Sequence, residues 1–76
     1  MTINELKELL ASGEFRHATY RPSSGLWSGL WIYRKAIDGF RGFEPAGFFS
    51  RTDPNLDAAE RLVAHTGISV GAYGNG

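Results

Sequence analysis

Apolar residues recur at helical spacing at the start of the chain. They fall on one face of a helix from residue 2 to residue 12, at Ile3, Leu6, Leu9 and Leu10. Thr2 and Glu5 have the spacing of a capping box, in which each side chain accepts a hydrogen bond from the backbone N–H of the other residue. Gly13 is suited to end the helix in the left-handed conformation. The pattern predicts a first helix over Thr2–Ser12.

A second helical pattern lies near the other end of the chain. One stripe collects the apolar positions Leu56, Ala59, Leu62 and Val63, and continues to Thr66. Asp53 followed by Pro54 is typical of an N-cap and a first helical residue. Gly67 suits the residue after the helix, and Ile68 can then fold back in a Schellman-type contact. We therefore predict a second helix that begins at Asp53-Pro54 and ends before Gly67.

The region between the helices is rich in β-branched and aromatic residues, which favour strands. Turn-forming residues divide it at 22–25 (Pro-Ser-Ser-Gly) and at Asp38-Gly39, a strong two-residue hairpin signal. The predicted strands are residues 15–21, 26–37 and 40–49. The two-residue turn would give three pairs: Ile37 with Phe40, Lys35 with Gly42, and Tyr33 with Glu44. Gly42, Pro45 and Gly47 are expected to weaken the third strand or to introduce a bulge.

This order of elements predicts an α+β fold, α-β-β-β-α, in which three strands form an antiparallel meander. Each helix has one apolar stripe, so we expect both helices to cover the same face of the sheet in a two-layer arrangement. The opposite face is then left to solvent or to a partner. A chain of 76 residues is expected to form one compact domain over 1–76. Its tail, 71–76, is expected to be flexible unless residues 68–70 add a short strand.

The second predicted strand distinguishes the two faces of the sheet. One alternating set is mainly aliphatic and is expected under the helices: Leu26, Ser28, Leu30, Ile32 and Arg34. The other set is mainly aromatic and ends in a lysine: Trp27, Gly29, Trp31, Tyr33 and Lys35. We predict that the aromatic set faces Glu44, lies on the open face and marks a binding surface. Two alternatives stay open: a bulge near Gly29 or Pro45 would reverse the faces, and the tryptophans would equally serve as core residues.

Composition narrows the class of protein. Hydrophobic residues make up 42% of the chain and charged residues 21%, which excludes a disordered protein. The absence of cysteine excludes disulfides and thiolate chemistry. The first ten residues include Glu5, Lys7 and Glu8, so they are not typical of a signal peptide or a membrane span. We therefore expect a soluble, cytoplasmic protein.

The charges are balanced in number but unevenly distributed. Eight basic and eight acidic residues give a net charge of zero. Residues 1–14 carry one basic residue against three acidic ones, residues 15–51 six against two, and residues 52–76 one against three. The ends of the chain are thus acidic and the middle is basic, which predicts a molecule with two electrostatically different sides.

The sequence contains no recognisable catalytic or cofactor-binding motif. His17 and His65 are far apart along the chain, and neither has the spacing of a metal ligand or of an acid–base pair. Ser23, Ser24 and Ser28 lack the strand–turn–helix context of a nucleophilic serine. We therefore expect a protein without enzymatic activity, metal or cofactor.

The order of elements resembles that of double-stranded-RNA-binding domains, which are also α-β-β-β-α. In that family the second helix begins with a lysine-rich motif that contacts phosphates. The matching residues of this chain, 53–57, read Asp-Pro-Asn-Leu-Asp and would repel phosphates. A net charge of zero also gives little electrostatic drive toward nucleic acid. Single-strand binding stays open as an alternative, with these residues as stacking or phosphate contacts: Trp27, Trp31, Tyr33, Arg34, Lys35 and Arg41.

In size, single-domain organisation and lack of catalytic motifs, the chain resembles the small accessory proteins of phages and other mobile elements, anti-CRISPR proteins included. This resemblance implies a non-enzymatic inhibitor that binds a protein subunit of a nucleic-acid-processing complex, such as a CRISPR effector, in the bacterial cytoplasm. The predicted contact residues are Trp27, Trp31, Tyr33, Arg34, Lys35 and Arg41, with Glu44 at the rim. Aromatic side chains would be the buried anchors, and the charges would orient the partner. A homodimer through the same surface is the alternative.

Overall fold

The computed structural model describes residues 1–21, 28–37 and 42–68 and the backbone of 71–72. These residues form α1 (Ile3–Ser12), β1 (Phe15–Arg21), β2 (Gly29–Lys35), β3 (Phe43–Ser50), α2 (Leu56–Ala64) and β4 (Gly71–Ala72). Strands β1, β2 and β3 form an antiparallel meander. The predicted α+β fold with the order α-β-β-β-α is therefore confirmed. The bounds of β1 agree with the prediction, whereas β2 ends two residues earlier and β3 begins three residues later than expected.

Strand β4 extends the sheet beyond the predicted meander. It pairs in parallel with β1, with Thr19 opposite Gly71 and Tyr20 opposite Ala72, so the strand order is β3-β2-β1-β4. The tail thus adds a short strand at 71–72; of the residues 68–70, at which the sequence allowed for one, only Ile68 is described, and it lies outside a strand. The rest of the predicted flexible tail, 73–76, lies outside the described residues.

Helix α1 is held at both ends by the predicted caps. The Glu5 backbone N–H donates to Thr2 Oγ1 over 3.1 Å, and the Thr2 N–H donates to Glu5 Oε1 over 2.8 Å. This capping box lowers the pKa of Glu5 below its ordinary value, because hydrogen bonds from the Thr2 backbone and then from its hydroxyl favour the carboxylate. Gly13 ends the helix in the left-handed conformation, with φ of 78°.

Helix α2 begins two residues later than its predicted first helical residue. Its N-cap is Asn55, not Asp53, and no side chain caps it. Asp53 instead forms a turn before the helix, because its Oδ1 accepts the Asn55 N–H over 2.8 Å and its carbonyl accepts the Leu56 N–H over 3.0 Å. Gly67 follows the helix as predicted. The Schellman motif is only half formed: the Gly67 N–H donates to the Ala64 carbonyl over 3.1 Å, whereas the Ile68 N–H donates to Thr66 Oγ1 over 3.1 Å.

The pairing of β2 with β3 differs by one residue from the predicted register. The structure places Lys35 opposite Phe43, Arg34 opposite Glu44, and Tyr33 opposite Pro45. The Ala36 N–H donates to the Gly42 carbonyl over 3.4 Å, so the connection is longer than a two-residue turn. The turn residues themselves, Asp38-Gly39, lie outside the described residues. A slip of one residue exchanges the faces of a strand, so each side chain at the start of β3 lies on the opposite face from the one predicted.

A bulge in β3 is confirmed, and its position is Ala46. Ile32 lies opposite Gly47 while the next residue, Tyr33, lies opposite Pro45, which leaves Ala46 as the extra residue. Pro45 is tolerated because β3 is an edge strand of the sheet. Beyond the bulge, the strand turns Phe48 to one face and Phe49 to the other.

Both helices contribute to one hydrophobic core on a single face of the sheet. The core is formed by Leu6 and Leu9 of α1, Ala59 and Val63 of α2, and Phe15, Ala18, Leu30, Ile32 and Phe49 of the sheet. Leu30 and Ile32 belong to the aliphatic set of β2, so the predicted orientation of this strand is confirmed. Because the aliphatic set of β2 lies under the helices, the aromatic set and the candidate site lie on the face away from α1 and α2.

Candidate functional site

We refer to the sheet face turned away from α1 and α2 as the open face. The alternation of each strand and the observed register place these described side chains on it: His17, Thr19 and Arg21 of β1; Trp31, Tyr33 and Lys35 of β2; Phe43, Pro45, Phe48 and Ser50 of β3. Aromatic and cationic residues dominate this set. They are arranged in two rows that run across the strands.

The first row contains Arg21, Trp31 and Phe48. The Trp31 and Phe48 rings are stacked, with centroids 5.0 Å apart and planes inclined by 15°. The Arg21 Cζ lies over the Trp31 ring, 4.2 Å from its centroid, in cation–π geometry. Because β1 and β3 lie on opposite sides of β2, these two contacts approach the indole from opposite sides.

The second row contains His17, Tyr33 and Phe43. The His17 and Tyr33 rings stack at 4.5 Å with an angle of 9° between their planes. The Phe43 ring stands at 83° to His17 and at 89° to Tyr33, with centroid distances of 4.5 Å and 5.6 Å. Arg21 Nη2 donates to Tyr33 Oη over 3.3 Å, which connects the two rows.

The residues of the second row differ in how much of their surface is accessible. Tyr33 is only 5% exposed, because its neighbours in the rows cover it, whereas Phe43 is 45% exposed. Lys35 lies directly opposite Phe43 and is exposed. The accessible end of the open face is therefore the end nearest the β2–β3 connection, where a half-exposed ring lies beside a lysine.

The structure divides the predicted contact residues between the two faces. Trp31, Tyr33 and Lys35 lie on the open face as predicted. Trp27 and Arg41 lie outside the described residues. Arg34 and Glu44 lie on the helix-covered face, so the prediction that Glu44 faces the aromatic set is wrong.

Arg34 and Glu44 have structural partners on that face. Arg34 Nη2 lies 2.9 Å from Glu14 Oε1 and 3.0 Å from Glu14 Oε2, in an ion pair that joins β2 to the α1–β1 connection. Glu44 Oε1 accepts the Ile37 N–H over 2.7 Å. Arg34 alternates with Tyr33 and Lys35, which turns it to the helices, and the one-residue register shift does the same for Glu44.

Sequence reasoning missed four residues of the rows: His17, Arg21, Phe43 and Phe48. The signal for His17 and Arg21 was absent, because β1 shifts register between Phe15 and His17, and only this irregularity places Phe15 in the core and His17 on the open face. The signal for Phe43 and Phe48 was also absent, because five positions separate them and only the bulge at Ala46 brings both to one face.

Among the described residues, the open face carries positive charge and no carboxylate. Its described charged residues are Arg21 and Lys35. The described carboxylates belong to the helices, to the turns or to the helix-covered face: Glu5, Glu8, Glu14, Glu44, Asp53, Asp57 and Glu60. Arg34, by contrast, lies on the helix-covered face, so the charge asymmetry of the sequence is only partly reproduced by the two faces of the sheet.

A groove of about 450 Å³ lies on the helix side, between α1 and the beginning of β3. Four glutamates line it: Glu5, Glu8, Glu14 and Glu44. Three of them hydrogen-bond within the fold, to Thr2, to Arg34 and to the Ile37 N–H. Their main contribution is therefore to local structure, and the groove is a weaker candidate than the open face.

The described part of the chain has neither a cluster of metal ligands nor a membrane-spanning helix. No three His, Asp or Glu side chains come together there in a way that could hold a metal ion. Neither α1 nor α2, the helices of that part, is long and apolar enough to cross a membrane. Comparisons of the chain with protein-family models, with curated proteins and with solved structures find no match.

Proposed function

We propose that this protein is a non-enzymatic protein-binding domain that attaches to its partner through the open face and thereby inhibits or adapts it. The observation that carries the proposal is the composition of that face. It combines stacked aromatic rings, two cations and a half-exposed phenylalanine on a sheet surface that neither α1 nor α2 covers. Trp, Tyr and Arg are the residue types that dominate the binding energy of protein interfaces.

The packing within the rows also favours binding. His17 and Phe43 hold the Tyr33 ring, and Arg21 and Phe48 hold the Trp31 ring. Side chains that are already fixed lose little conformational entropy when a partner covers them. A surface of this kind is therefore suited to rigid docking of another protein.

The same packing argues against nucleic-acid binding by base stacking. A base stacks on a free ring face, and single-strand binding proteins provide such faces along a basic groove. The Trp31 ring is already contacted from the β1 side and the β3 side, and Tyr33 is 5% exposed. We therefore favour a protein partner over a single strand.

The resemblance to small phage accessory proteins supports a more specific form of the proposal. In this form the partner is a subunit of a nucleic-acid-processing complex, such as a CRISPR effector, in the bacterial cytoplasm. Covering one functional surface of such a subunit requires neither catalysis nor a cofactor. A docking surface on a small domain is sufficient for that task.

The test is capture of partners from a nuclease-treated bacterial lysate, read by mass spectrometry. Wild-type protein is compared with Lys35→Glu/Phe43→Ser, which changes the open face, and with Lys7→Glu, which makes the same charge change at an exposed residue of α1. We expect a stoichiometric partner that wild type and Lys7→Glu retain and that the double variant loses. Thermal unfolding of all three proteins verifies that each is folded.

Two results would contradict the proposal. Equal capture by the double variant would place the binding surface elsewhere. Recovery of nothing but nuclease-sensitive material would favour the nucleic-acid alternative. A captured partner unrelated to nucleic-acid processing would leave the binding function standing and would reject its more specific form.

A further inference from the structure

We infer that the partner of the open face is an acidic protein surface with an apolar side chain among its carboxylates, and that Lys35 and Phe43 recognise it. This inference rests on the proposed function and specifies the chemistry of the partner. We call these two residues the recognition pair. Three features of the described structure support the assignment: geometry, charge and ring packing.

In the recognition pair, an aromatic ring that a partner can bury lies beside a positively charged side chain. Lys35 and Phe43 are direct cross-strand partners on the same face, and such partners have Cβ atoms about 4.5–5.5 Å apart. His17 and Tyr33 fix one part of the Phe43 ring, yet the residue remains 45% exposed. A fixed, half-exposed ring can be buried by an apolar group of a partner without reorganisation.

The charge distribution on the open face indicates the sign of the charge that a partner surface should carry. No described carboxylate lies on the open face, and the ion pair found within the described residues joins Arg34 to Glu14 on the opposite face. Glu44, the acidic residue next to Phe43, is turned away and accepts the Ile37 N–H. Lys35 is therefore exposed on a face whose described residues include no carboxylate, and an approaching carboxylate is attracted to it.

Ring packing distinguishes a carboxylate from a phosphate backbone as the complementary group. Both anions are attracted to lysine, but a nucleic acid needs free ring faces for its bases. In the rows the Tyr33 ring is stacked on His17, and the Trp31 ring is contacted by Phe48 and by Arg21, so these rings offer little free face to a base.

The experiment is a selection of short random peptides on immobilised protein, with enriched sequences read by sequencing and affinities measured by calorimetry. We expect enriched peptides to carry Asp or Glu on both sides of an aliphatic or aromatic residue. Lys35→Glu and Phe43→Ser should each weaken binding at least about tenfold. Lys35→Gln should fall between wild type and Lys35→Glu, and Lys7→Glu should bind like wild type.

Salt provides an independent measure of the charge contribution. Raising NaCl from about 0.1 M to about 1 M shortens the Debye length from about 10 Å to about 3 Å. Binding of the selected peptides to wild type should weaken over this range, and binding to Lys35→Gln should weaken less. Circular dichroism of each variant confirms that the loss of binding is not a loss of fold.

The outcomes separate this inference from the proposed function. Peptides without acidic residues that depend on Phe43 but not on Lys35 would overturn the inference and leave the open face as a docking surface. Peptides insensitive to both substitutions would count against both. Failure to enrich any sequence, or displacement of the acidic peptides by an oligothymidylate, would overturn the inference.

Discussion

The two faces of the sheet are covered in different ways. On the helix-covered face, Leu30 and Ile32 of β2 have no exposed surface, because α1 and α2 pack over them. On the open face, Trp31 and Tyr33 of the same strand are covered by side chains of the neighbouring strands. The two helices thus cover one face, whereas side chains of the sheet itself cover part of the other.

This difference shows that low exposure does not by itself identify a core residue. Tyr33 is 5% exposed, less than the core residues Leu9 and Phe15, although neither α1 nor α2 lies above it. Helices of ten and nine residues supply enough apolar surface for one face of the sheet. On the other face, stacked aromatic rings cover part of one another's surface.

The largest expected effect tests this contrast at two adjacent phenylalanines of β3. Phe49 is fully buried in the core, whereas Phe48 lies half-buried on the open face. Phe49→Ala should lower the free energy of unfolding by about 3–5 kcal/mol, and Phe48→Ala by about 1–2 kcal/mol. Urea unfolding measures both values. Equal losses would mean that the open face is a second core.

The next effect is the contribution of ring stacking within the rows to the stability of the fold. A double-mutant cycle with His17→Ala and Tyr33→Ala should give a coupling free energy of about 0.5–1.5 kcal/mol, because the two rings are stacked. The matched control pairs His17→Ala with Val63→Ala in the core, which should be additive within about 0.5 kcal/mol. A coupling near zero for His17 and Tyr33 would show that the stack adds nothing to stability.

A smaller effect on stability distinguishes Arg34 from Lys35, two neighbouring cations that lie on opposite faces of the sheet. Arg34→Ala should cost about 0.5–1 kcal/mol of unfolding free energy, since its pair with Glu14 is partly exposed, at 31% and 43%. Lys35→Ala should change it by less than about 0.5 kcal/mol. Urea unfolding at low and high salt tests both, because salt should reduce the Arg34 effect. A larger loss for Lys35 would reverse the roles that we assign to the two residues.

The smallest effect concerns acid sensitivity on the helix side. The folded pKa of Glu5 is lowered by its hydrogen bonds to Thr2, so its contribution to stability is complete above the ordinary carboxyl value. That contribution is lost as the pH falls through the lowered pKa. The stability difference between wild type and Glu5→Gln should therefore be present at neutral pH and vanish in acid. A difference that is independent of pH would mean that the carboxylate charge is not what caps the helix.

Much of this arrangement was predictable because it depends on residues close together in sequence. The capping box joins Thr2 to Glu5 within one helical turn, and Gly13 ends that helix through its own backbone conformation. The orientation of β2 follows from alternation alone, which separates Leu30 and Ile32 from Trp31 and Tyr33. These features require no knowledge of which strand lies beside which.

The start of α2 shows where local reasoning fails even at short range. Asp53 and Pro54 have a sequence typical of a helix start, but the Asp53 side chain bonds to the Asn55 N–H and holds a turn instead. The turn and the helix start use the same acceptor and nearly the same residues. Side-chain bonds of this kind compete with the helix for the same backbone N–H groups, so the sequence pattern alone does not choose between them.

The sequence by itself therefore determined the order of elements, the caps of α1 and the faces of β2, since each depends on spacing within one element. The tertiary structure alone decided the register of β3, the bulge at Ala46 and hence the faces on which Phe43, Glu44 and Phe48 lie. The physical reason is the two-residue period of a strand. A connection longer by one residue costs little free energy, yet it exchanges every side chain between the core and the open face.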